Sequence, residues 1–161
     1  MGKINYGRVI VGGVVAGIIS ASLWLFFNLF LLGQRWAETG KALNPSGHNA
    51  AGLPASLVSL YLMYIVGSIL TIWMYAAIRP RFGAGVRTAV CVSVFVWTFG
   101  YVFPNWGWSL SGIFSRRLLF YNTVAGLVLI IAGTVVGAAL YKEAESTATY
   151  PAATEARPIV R

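Results

Sequence analysis

Aspartate is missing from this sequence, and histidine and cysteine occur once each, as His48 and Cys91. The acidic complement is four glutamates, Glu38, Glu143, Glu145 and Glu155. A lone cysteine excludes a disulfide within the chain, and a lone histidine excludes paired imidazole ligands to a b-type haem. A zinc site of four Cys/His ligands cannot be assembled. A Ser-His-Asp triad is equally out of reach. Charged residues make up 10% of the 161 positions, far below the roughly 25% of a soluble domain. What fills the space is apolar: 58% hydrophobic residues and a mean hydropathy of +0.73. No cofactor is implied by this inventory.

The apolar residues fall in four runs whose interiors carry no Asp, Glu, Lys, Arg or His. A bilayer core about 30 Å thick needs roughly 20 helical residues. The runs therefore predict an all-α, polytopic membrane protein, a bundle of four transmembrane helices over residues 8–32, 54–78, 86–104 and 117–141. Together they make one transmembrane domain, residues 1–141, followed by a polar C-terminal tail, 142–161, rich in Ala, Thr, Glu and Pro. That tail has too little apolar area to fold by itself. The first run continues through Trp24, Phe26 and Phe27 to Leu32, past the length of a signal-peptide core, and reads as a retained anchor.

Basic residues set the expected orientation. Lys3, Arg8, Arg79, Arg81, Arg87 and Lys142 fall on one side, and Arg35, Lys41, Arg116 and Arg117 on the other. The richer side reads as cytoplasmic and holds both termini. The net charge of +8 reads as anchoring to anionic lipid headgroups, with no nucleic-acid partner. Two longer connections, 33–52 and 104–115, then lie together on the outer side, and a tight turn at 79–85 makes the second and third helices antiparallel neighbours.

Helices in lipid associate by close packing, so small residues at four-residue spacing matter. Gly13 and Gly17 on the first helix and Gly126, Gly133 and Gly137 on the fourth are the candidate packing positions, and they suggest a seam between those two helices. The same faces could instead serve a homodimer or a larger membrane partner. Candidate ligand or headgroup contacts are Asn28 and Asn122, costly to bury, Arg116 and Arg117, whose guanidinium groups suit phosphate, and His48. Cys91 reads as a small packing residue, and Tyr141, with Tyr6 and Phe82, as an interfacial aromatic.

The stretch Phe26 to Gly40, with the pair Phe26-Phe27 followed by Gly33 and Trp36 at the membrane exit, resembles the end of the first helix in small, uncharacterised bacterial four-helix membrane proteins. The resemblance implies the fold and a bacterial inner-membrane address. The residues favour a non-catalytic accessory or scaffolding protein that packs against lipid or a larger membrane partner. The alternatives are a facilitative transporter of a small neutral or anionic solute, using Asn28 and Asn122, and a membrane enzyme with an outer-face site near His48.

Overall fold

A computed structural model describes residues 4–43 and 53–142. Its helices are α1 (Tyr6–Phe26), α2 (Gly33–Leu43), α3 (Leu53–Phe82), α4 (Val86–Trp97), α5 (Phe103–Ser111) and α6 (Arg116–Leu140), and no strand occurs among the described residues. Two wide π-type turns extend the helices. Phe27–Leu31 prolongs α1, and Thr98–Val102 joins α4 to α5 without a break. In each the following N–H reaches five residues back, Leu32 to the Phe27 carbonyl at 3.0 Å and Phe103 to that of Thr98. Such insertions shift the helix face and often mark functional positions.

Four helices of the described chain are long and apolar enough to cross a membrane: Tyr6–Leu31, Ser56–Phe82, Val86–Ser111 and Arg116–Leu140. Their starts follow from local chemistry. Asn5 Oδ1 accepts the Arg8 N–H and Ser115 Oγ accepts the Leu118 N–H, each at 3.2 Å, satisfying donors that a helix leaves open at its N-terminus. Between α3 and α4 the chain reverses over Gly83 and Gly85, with φ of 84° and 134°, values that a side chain would resist.

The ends of the apolar runs differ from the sequence expectation. Helix α3 continues through Arg79-Pro80-Arg81 to Phe82, so the reversal is shorter than 79–85. The polar stretch after Leu32 forms helix α2, and α5 runs from Phe103 through residues 104–111, which were expected in a connection. Each is a helical continuation beyond the apolar run, invisible to a reading based on hydropathy alone.

Helix α1 packs against both α3 and α6; α4 packs against α6 and, more sparsely, against α3. One end of the bundle, here the proximal end, gathers Asn5, the Gly83–Gly85 reversal and Tyr141. The distal end gathers α2, α5 and the start of α6. The proximal half is the densely filled one, with Val9, Ile72, Tyr75, Ala89, Val92 and Tyr141 all buried. Tyr141, expected as an interfacial aromatic, is buried in the core at the proximal end of the bundle. Its ring meets Tyr75 edge-on at 6.1 Å, its hydroxyl accepts the Asn5 N–H at 3.4 Å, and the Arg79 guanidinium lies 5.4 Å from its ring centre. Cys91 is the reverse case: it is exposed on the outer surface of α4 and packs no seam.

Candidate functional site

The glycines divide between two neighbours of α1. Gly12 and Gly137 face each other across the α1–α6 seam, where a β-carbon on either would come within 2.6 Å of the other's carbonyl oxygen. Gly133 lies against Ser20 Oγ and the Ala16 carbonyl. Gly13 and Gly17, expected on this same seam, instead meet the backbone of Ile69 and Ile65 on α3, each 2.5 Å from a would-be β-carbon. The reason is angular: neighbouring residues on a helix point about 100° apart, so Gly12 and Gly13 serve different partners. Gly126 has its nearest neighbour on the α4 side, not on α1. It seats the Tyr101 ring, which a β-carbon there would strike.

The two asparagines are engaged separately. Asn28 Nδ2 donates to the Trp24 carbonyl of its own helix at 2.8 Å, and its Oδ1 has no partner among the described residues. Asn122 Nδ2 makes a long 3.5 Å contact with Asn105 Oδ1. Asn105 in turn donates to Thr123 Oγ1 at 2.7 Å, and Trp97 Nε1 donates to the Thr123 carbonyl at 2.7 Å. This network ties α5 and the end of α4 to α6. Asn105 and Thr123 were not singled out from sequence, since a hydroxyl that can bond to its own helix gives no sign of a second partner. No hydrogen bond links Asn28 to Asn122.

Beside this network lies a groove of about 330 Å³ between the π turn after α1 and the distal part of α6. Phe27, Leu31 and Leu32 form one wall, and Tyr121, Val124, Ala125 and Val128 the other. The α6 residues follow a helical stripe about 10 Å long. Arg35, on α2, stands at the distal mouth with its guanidinium 5.2 Å from the centre of the Tyr121 ring. A cation over an aromatic face is held in place without losing its charge. The groove can therefore take a hydrocarbon chain along its length and an anion at its mouth. Arg116 and Arg117 are exposed at the start of α6, at the same end. Glu38 is exposed on α2, and His48 lies outside the described residues. Arg35 carried only a topological meaning in the sequence; its position over Tyr121 depends on residues 33–43 forming a helix. Comparison with protein-family models, with curated proteins and with solved structures finds no match to this chain, so its function has to be read from these residues.

Proposed function

We propose that the chain is an integral membrane protein of four spans, in a bacterial inner membrane with both termini cytoplasmic, that acts non-catalytically by holding an anionic phospholipid and packing beside it or a larger membrane partner. The observation that carries this reading is the distal groove, apolar along its walls with Arg35 at its mouth. An acyl chain fits the Phe27–Val128 trough, where dispersion contacts accumulate, and a phosphate fits the guanidinium. Arg116 and Arg117 add positive charge at the same level, where an α-helix N-terminus already favours anions. The proximal end carries Arg8, Arg79, Arg81 and Arg87, and the positive-inside rule favours placing that end in the cytoplasm.

The test is native mass spectrometry of the protein released from nanodiscs containing equal phosphatidylglycerol and phosphatidylcholine. Wild-type protein should keep phosphatidylglycerol, and Arg35→Gln should lose that preference while remaining folded. Equal retention of the two lipids by the wild type would remove the groove as a lipid site. Orientation is read separately: Ser109→Cys, in a Cys91→Ala background, should react with an impermeant maleimide on intact cells. Labelling only after permeabilisation would invert the topology.

A further inference from the structure

A second cavity, of about 230 Å³, opens at the mid-length of the bundle, and all four long helices contribute to it. Its polar groups are Ser20 from α1, Tyr64, Ser68 and Thr71 from α3, Tyr101 from the π turn after α4, and Thr134 from α6. It is separate from the groove, and no residue lines both.

The hydroxyls of this cleft are not equally satisfied. Ser20 Oγ donates across the α1–α6 seam to the Leu129 carbonyl at 3.2 Å, and Thr71 Oγ1 donates to the Gly67 carbonyl of its own helix at 2.8 Å, as hydroxyls in helices commonly do. Ser68 and Thr134 make no hydrogen bond among the described residues, although Thr134 is only 3% exposed. The Tyr64 and Tyr101 hydroxyls are 2.7 Å apart. One donates to the other, and the accepting hydroxyl keeps a proton to give elsewhere. Three O–H donors therefore face a site that contains no charged side chain. Leaving donors unpaired in such surroundings is unfavourable, and the chemistry that satisfies them is a neutral molecule carrying oxygen acceptors.

The mouth of the cleft says where that molecule comes from. Gly67 and Gly100 flank it, both exposed, and a β-carbon on either would meet nothing within 4 Å. Neither glycine has a positive φ, so neither packing nor backbone shape calls for it. Inside a helix a glycine is less favourable than alanine by up to about 1 kcal/mol. What the two positions share is an unobstructed opening between α3 and α4, beside the exposed Met63. The opening is lateral and at mid-length, the level of hydrocarbon in a spanning bundle, so a ligand enters from the lipid. A volume of about 230 Å³ is enough for one small ring with its substituents but not for a whole lipid. The tyrosines supply flat faces on which a ring can stack.

The geometry points to a binding site for the head of a membrane-dissolved quinone, whose two ring carbonyls accept from Ser68, Thr134 and the free tyrosyl hydroxyl while its tail leaves between Gly67 and Gly100. The site is one of binding, and no electron transfer is attached to it.

The experiment uses the full chain in phosphatidylcholine nanodiscs with decylubiquinone as probe and tryptophan fluorescence as readout, since Trp24 lies 6.4 Å from Tyr64. Wild-type quenching should saturate. Gly67→Leu, which projects into open space and closes the mouth, should weaken apparent affinity at least tenfold. Ser68→Ala combined with Thr134→Val should weaken it by a similar factor, whereas Gly107→Leu, also open but on α5, should leave it unchanged. Quenching that never saturates, or that is the same in Gly67→Leu, is partitioning into lipid and overturns the site. A Ser68→Cys variant in a Cys91→Ala background gives a second readout. Decylubiquinone should slow its reaction with N-ethylmaleimide and glycerol should not. Protection by glycerol alone would overturn the quinone class in favour of a water-soluble neutral solute.

Discussion

The α1–α6 seam and the α3–α4 seam use the same residue for opposite ends. On the first, Gly12, Gly133 and Gly137 are each pressed against the facing helix, so that any added carbon collides with backbone or with Ser20 and Ala16. On the second, a β-carbon on Gly67 or Gly100 would touch nothing, and a hydrogen bond between two tyrosines bridges the helices at mid-length. Where no water is present to drive apolar surfaces together, contact has to come from fit. A seam built from fit is closed along its length, while one bridged by a long polar side chain leaves room beside it. The contrast explains why the cavity lies where it does.

The contrast breaks most severely at the closed seam. Gly133→Leu or Gly137→Leu should lower stability by ~3 kcal/mol or more, since a side chain there meets carbonyl oxygen and helix backbone that cannot swing aside. Thermal unfolding followed by circular dichroism in mild detergent measures it. A variant that melts with the wild type would show the seam to be far looser than its geometry. Gly126→Ala should have the next largest effect, about 1–2 kcal/mol, because the Tyr101 ring it displaces is also the anchor of the bridge to Tyr64. Tyr64→Phe removes only that bridge and should cost about 1 kcal/mol. In a double-mutant cycle with Tyr101→Phe the two losses should not add, since both remove one bond. Gly67→Ala should move the other way, raising stability by about 0.5 kcal/mol, because the new methyl group meets no neighbour and the helix gains a better former. A loss of stability at this position would mean that the opening is filled in the folded protein.

The four apolar segments were legible because hydropathy over 20 or more residues reports one dominant requirement, and the structure places a long apolar helix on each. Their ends were not. Gln34-Arg35-Trp36-Ala37-Glu38 reads as a polar connection, yet it forms a helix, and that helix sets Arg35 over Tyr121. The fate of Gly13 was hidden for another reason: spacing along one helix shows which residues share a face and says nothing of which helix lies opposite. The cleft was the least legible of all. Its hydroxyls come from positions 20, 64, 68, 71, 101 and 134; the spacing of Tyr64, Ser68 and Thr71 puts them on one face of α3, but nothing in the sequence places Ser20, Tyr101 and Thr134 opposite, and a serine that bonds its own helix looks the same in sequence as one that does not. Likewise nothing in Thr98-Phe99-Gly100-Tyr101-Val102 announces the wide turn that aims Tyr101 toward α3.

Helix α1 carries two glycine-rich faces, and the ribosome delivers their partners at very different times. The face of Gly13 and Gly17 meets Ile65 and Ile69 as soon as α3 emerges, whereas the face of Gly12, Ala16 and Ser20 waits for α6, the last of the described helices to be made. Domains generally assemble as they are synthesised, N-terminal parts first, so a nascent chain ending before Arg116 presents a groove of bare backbone and a serine hydroxyl to the surrounding membrane. Supplied as a separate polypeptide, α6 should dock into that groove and restore the bundle. A chain halted there has an open address for any other helix with two glycines four residues apart, which makes completion of α6 the step that protects this protein from pairing with its neighbours.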